Sequence, residues 1–137
     1  MKTAIIAAAL LMAGNAFADD LTIGAHVGSW HSLPGRNNVN PGLYVRTADG
    51  LQVGAYRNSE RGESVYVGQM FSARLGADLE ASVMVGAVHG YKRAGLLPVV
   101  MPSIRVGGDF GVRIGYIPPA APKHSHVVHL MAEWSIK

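Results

Sequence analysis

The stretch Leu75-Gly76-Ala77-Asp78-Leu79-Glu80-Ala81-Ser82-Val83-Met84-Val85-Gly86-Ala87 alternates strictly in chemistry. Every odd position is Leu, Ala or Val; the even ones carry Gly, Asp, Glu, Ser and Met. Successive side chains of a strand point to opposite faces, so this spacing builds one apolar wall and one wall of small, polar and charged groups. The same pattern sets Leu21, Ile23, Ala25 and Val27 against Thr22, Gly24, His26 and Gly28. No segment of the chain beyond its first residues shows a helical period, and β-favouring residues dominate.

Turn signals cut the chain into eight such runs, near 21–31, 42–48, 51–59, 63–72, 75–89, 97–106, 109–117 and 125–135. Ala48-Asp49-Gly50 and Gly107-Gly108-Asp109 read as tight hairpins, and Pro118-Pro119-Ala120-Ala121-Pro122 as a loop. Eight short runs in one domain of this length predict an all-β fold, an eight-stranded antiparallel up-and-down barrel. Its two faces pose a choice. In a soluble barrel the apolar face fills the core. In a membrane barrel it meets lipid, and Gly, Arg and Glu line the interior. Arg46, Glu80, Arg105 and Arg113 fall mid-run on the polar faces.

Ahead of the first run, Lys2, an apolar stretch from Ala4 to Ala13 and Asn15-Ala16-Phe17-Ala18 form a secretory leader with an A-x-A cleavage site. The expected organisation is a signal peptide over 1–18 and a single barrel domain over 19–137, exported to the outer membrane or, alternatively, the periplasm. The apolar stretch is too short to span a bilayer as a helix. With no cysteine in the chain, disulfides, thiolate metal sites and Cys nucleophiles are excluded. The basic excess is small, 12 Lys and Arg against 9 Asp and Glu, and scattered, which gives no nucleic-acid footprint. No cofactor and no metal site is expected, and the barrel is expected to be a monomer. His124 and His126 share a face while His129 takes the other, so this cluster reads as a polar turn.

Candidate chemistry lies at one rim. His31 ends the first run and Ser59 the third, and in an up-and-down meander these runs end on the same side. An imidazole beside a hydroxyl is the pairing that nucleophilic catalysis needs, with Asn58 a candidate to orient the ring through its amide oxygen. Ser and Asn at a strand end are also ordinary turn formers.

Prolines interrupt Leu97-Pro98-Val99-Val100-Met101-Pro102 and Gly115-Tyr116-Ile117-Pro118. Proline cannot donate to a sheet ladder and is expelled from fully paired strands. In a closed membrane barrel such residues mark places where neighbours do not pair, which opens a side door onto lipid.

With these residues in view, the chain resembles the lipid A palmitoyltransferases of the outer membrane, the PagP type. Leu97-Pro98-Val99-Val100-Met101-Pro102, then Val106-Gly107, then Tyr116-Ile117-Pro118 is similar to that family's penultimate hairpin. Ala55-Tyr56-Arg57-Asn58-Ser59 resembles its Ala-Phe-Lys-Asp-Ser segment, and Trp30-His31 its Trp-His. The resemblance implies His31 and Ser59 as catalytic-type residues, with Asn58 where the family has Asp. It implies Pro41, Pro98, Pro102 and Pro118 as markers of a lateral gate. It implies an acyl chain inside the barrel, with Met70 at the pocket floor and Tyr56 and Tyr66 as further ligand-binding residues. The implied activity is acyl transfer from a phospholipid to a lipid acceptor, with membrane phospholipid and lipopolysaccharide as partners. The alternative is a non-catalytic barrel that binds a lipid or small apolar ligand. The chain departs from the family at Asn58, in having no amphipathic helix before the first run, and in ending Trp134-Ser135-Ile136-Lys137 rather than on an aromatic residue.

Overall fold

The computed structural model describes residues 20–92 and 94–137, and the leader reading falls outside them. The strands are β1 (Leu21–His31), β2 (Val39–Arg46), β3 (Leu51–Arg57), β4 (Glu63–Arg74), β5 (Leu79–His89), β6 (Leu96–Gly107), β7 (Phe110–Ile117) and β8 (Val127–Ile136). Each pairs with its sequence neighbour, and β1 pairs antiparallel with β8 to close the barrel. Closure leaves no strand unpaired along its whole length on either side. The expected fold is the observed one.

The element ends differ in places from the sequence reading. Residues 75–78 form the β4–β5 turn rather than the start of β5, because Leu75 and Gly76 N–H both donate back to Leu79 O. β3 stops at Arg57, since Asn58 opens a turn that closes with Asn58 N donating to Gly62 O at 2.8 Å. β2 begins earlier, at Val39, and ends at Arg46. At the β2–β3 hairpin Gly50 takes φ +94°, a left-handed conformation that glycine adopts without strain.

The alternation resolves the choice between faces. Ile23, Leu43, Val67, Val85, Val100, Ile104, Ile114 and Leu130 all lie exposed on the outside. Two outward aromatic pairs flank them. Phe110 and Trp134 are cross-strand partners toward the tight-turn end, while Trp30 and Tyr116 both lie opposite Val128 toward the long-loop end. The interior holds His26, Tyr44, Arg46, Gln52, Tyr66, Arg105, Arg113, His129 and Glu133, all buried.

Large interior side chains fit because small residues face them. The Tyr44 ring lies directly over Gly24, where a Cβ would fall inside the ring. A Cβ at Gly54 would come within 2.7 Å of both Tyr44 and Tyr66. The glycines read from the sequence as a polar face are therefore space for rings.

Candidate functional site

The tight turns lie at one end of the barrel and the longer loops, 32–38, 58–62, 90–95 and 118–126, at the other. The interior divides along the same axis. Toward the turns, Glu133 is the hub of an ion network. Its carboxylate meets Arg46 at 2.8 and 3.1 Å and Arg113 at 2.8 and 3.2 Å, and accepts from Tyr44 Oη at 2.6 Å. Arg105 Nε lies 2.9 Å from it, in ion-pair contact without hydrogen-bond geometry. Arg113 also reaches Glu80 at 2.7 Å. Ions deprived of water are tolerated only when paired this fully. Below the network a polar vestibule of about 710 Å³ opens between the turns, walled by Arg46, Glu80, Arg105 and Met70 among others.

Toward the loops the interior beside β5 and β6 becomes apolar, while Asn40, Asn58, Ser64 and His129 are buried elsewhere at that end. Met84, Val88, Met101 and Met131 form a buried cluster with Tyr44, Tyr66 and Met70, against which Tyr56, Tyr91, Leu97, Val99 and Ile117 pack. Four of the seven buried members are methionines, whose unbranched thioethers repack around irregular shapes at low cost. Tyr56 and Tyr91 share a hydroxyl contact of 3.1 Å at its upper edge. Between the two halves sits His26, 2.8 Å from His129 and 3.0 Å from the Tyr66 hydroxyl. Met70 belongs to this cluster and also lines the vestibule, so it stands at the boundary between them.

The wall beside the apolar half is incomplete. The β6–β7 ladder runs only from Gly107↔Gly111 to Ser103↔Gly115. Beyond it, Leu96 to Pro102 pair with β5 alone, and Tyr116 and Ile117 with β8 alone. Pro98 and Pro102 face outward, opposite Ala87 and Val83 of an unbroken β5–β6 ladder. Since adjacent strand residues address opposite neighbours, the N–H groups these prolines lack belong to the side where β7 does not pair. Pro118 directly follows the end of β7. Pro41 sits in a bulge: the β1–β2 register jumps from His26↔Gly42 to Gly28↔Val39, and the β2–β3 ladder starts only at Gly42. It therefore has a ladder partner on neither side. Outside the wall, Phe71, Val83, Pro102, Ile104, Ile114 and Tyr116 line an apolar groove of about 710 Å³ that reaches the last β6–β7 pair.

At the loop rim, His31 and Ser59 stand on the same side, and their loops are stitched together. Asn37 N donates to Ser59 O at 2.9 Å, and Asn37 Nδ2 donates to Asn58 O at 3.3 Å. Among the described residues no hydrogen bond joins the His31 ring to the Ser59 hydroxyl. The ring instead meets Asn38 Oδ1 at 2.7 Å and Ser29 Oγ at 3.4 Å through Nδ1.

Asn58 does not orient His31, which corrects the role expected of it. The residue is 0 % exposed, and its amide is spent on its own turn and on the neighbouring β4 and 90–95 loop. Oδ1 accepts from Glu60 N and Gly62 N, and Nδ2 donates to Ser64 Oγ and Gly90 O. A carboxylate could accept the first two bonds and one from the Ser64 hydroxyl, but it has no proton for the Gly90 carbonyl, which gives Asn a structural reason to be here.

The sequence reading missed the partners of His31 and the hub at Glu133. Asn38 and Asn40 fall between the first two runs, where no periodicity marks them. Glu133 shares a face with His129 and Met131, a signal that β8 periodicity contained. His126 lies on the outer side, stacked on Tyr116, while His129 points in, so the two do not converge on one ligand.

No family model and no curated protein matches this chain. Solved structures do match. One, from the de novo design of transmembrane β-barrels, superposes with a TM-score of 0.69 at 16 % identity, covering 85 % of this chain and 95 % of that one. Another, the solution NMR structure of the de novo designed TMB2.3, gives 0.59 at 14 % identity, covering 86 % and 93 %. The likeness is one of fold: a closed, eight-stranded antiparallel barrel.

Proposed function

We propose that this barrel is exported to an outer membrane, spans it, and transfers an acyl chain from a phospholipid to a lipid acceptor such as lipopolysaccharide. The observation that carries the reading is the β6–β7 ladder that stops at Ser103↔Gly115 beside an apolar, methionine-rich interior. A chain entering there would displace thioethers rather than break polar contacts. The outward apolar wall supports insertion. Each fully buried Val, Leu or Ile is worth about 1.5–3 kcal/mol, so a continuous belt of them is expensive in water and stable in lipid. The flanking aromatic pairs suit the two interfaces. The leader read over 1–18 supports export, and the resemblance to the lipid A palmitoyltransferases supports the reaction type.

At the rim, His31 Nε2 takes the Ser59 hydroxyl proton as Oγ bonds to the ester carbonyl carbon. The lysophospholipid oxygen leaves with the proton held by the imidazolium. An acceptor hydroxyl then takes the acyl group by the reverse step, and Ser59 is regenerated. Met70 floors the chain and Tyr56 and Tyr66 flank it. Mass spectrometry of membrane lipid extracts tests this. Cells carrying the protein should gain an over-acylated lipid that Ser59→Ala and His31→Ala both abolish, and identical profiles with and without the protein refute it.

A second reading, a non-catalytic lipid-binding barrel, is favoured by the engagement of the whole Asn58 amide away from His31. It predicts a co-purifying lipid, no turnover, and indifference to Ser59→Ala.

A further inference from the structure

The hydrogen bonds around His31 form a chain in which each donor fixes the next. It begins at Asn40, 2 % exposed at the base of the bulge. Asn40 Nδ2 donates to Arg57 O at 2.9 Å and Asn37 O at 3.3 Å, two carbonyls that only accept. The amide is thereby oriented, and its Oδ1 faces the Ser29 hydroxyl. Ser29 therefore gives its one proton to Asn40 Oδ1 and has only lone pairs left for His31. Asn38 presents an oxygen to the same ring nitrogen. Both neighbours of Nδ1 then present oxygens as acceptors, which favours the proton on Nδ1.

We propose that Asn40, Ser29 and Asn38 lock His31 in its Nδ1–H tautomer, leaving the Nε2 lone pair as the rim's proton acceptor. They are positioning residues, acting through His31 on whatever lipid the rim receives. The set does by neutral hydrogen bonds what a carboxylate does for a catalytic imidazole: it fixes tautomer and ring orientation. It sits on the β1–β2 side of His31. The assignment of a role in transfer rests on the proposed acyltransferase reading; the tautomer does not.

The test is a long-range ¹H–¹⁵N spectrum of histidine-labelled protein in micelles at a pH where the ring is neutral. His31 should show a pyrrole-type Nδ1 and a pyridine-type Nε2. Asn38→Leu and Ser29→Ala should each return the ring toward the Nε2–H form, and Asn38→Asp, which keeps an acceptor, should retain Nδ1–H. A wild-type His31 protonated on Nε2 overturns the proposal, and this measurement needs no variant to fold. In lipid transfer, Asn38→Leu should lower kcat about 10- to 100-fold at unchanged KM, within what a positioned base contributes, with Asn38→Asp restoring it. A locked Nδ1–H ring with no transfer by the wild type would refute the transferase reading while sustaining the lock. A kcat for Asn38→Leu equal to wild type would overturn its role in transfer.

Discussion

Replacing Glu133 with Gln keeps the side chain's shape and removes its charge. Glu133 is 1 % exposed and contacts three guanidiniums and one phenol. Gln retains one acceptor oxygen and turns an NH₂ group toward the donors that Oε2 now faces. Arg46, Arg105 and Arg113 would then share Glu80 as the remaining carboxylate of the network, and Glu80 contacts Arg113. Breaking a buried ion pair by removing one partner costs about 3–5 kcal/mol, because the other charge stays buried and uncompensated. Three cations push this cost up, while the vestibule that brings water to Arg46 and Arg105 pulls it down, so about 4 kcal/mol is expected. That is a large share of the roughly 5–15 kcal/mol stability of a domain.

Urea unfolding of the protein in micelles, followed by Trp30 and Trp134, reads this directly, since both indoles lie on the outer wall. With a slope of about 2 kcal/mol/M, the midpoint should fall by about 2 M. A fall of under about 0.5 M, with an unchanged slope, would refute the hub. Pairing Glu133→Leu with Arg113→Met should cost less than the two changes summed, because neither leaves the other's charge unpaired. Strict additivity would show that the pair is not coupled.

Gly24→Ala puts a methyl group into the Tyr44 ring and must also displace the hydroxyl from Glu133, so it should cost about 3 kcal/mol. In a Tyr44→Phe background only the packing part should remain, which the same unfolding measurement checks. On the outer wall, Val85→Arg at mid-strand should cost about 2–4 kcal/mol in vesicles and Phe110→Arg at a strand end about 0–1. Equal costs would argue against a bilayer around the barrel. At the turn end, Lys137 Nζ lies 2.8 Å from Asp109 and holds that carboxyl below its usual range. The pairing is therefore present at neutral pH and lost as pH falls through the lowered value, and an NMR titration of Asp109 should shift upward in Lys137→Met.

Much of this protein is legible in its residues. Strict alternation identifies strands and sorts their side chains into two faces, because the period of a strand is two whatever it packs against. Gly50 and the prolines mark turns and pairing breaks through backbone geometry alone. Alternation does not say which face turns inward, and it leaves register open. Register is set jointly by all eight strands when the barrel closes, and it alone brought His26 against His129, 103 residues away, and three arginines onto Glu133. The same holds at the rim. The sequence placed His31 and Ser59 on one side, but side chains choose hydrogen-bond partners by distance in space. Only the tertiary structure gave Asn58 to its turn, Ser64 and Gly90, and Asn38 to His31.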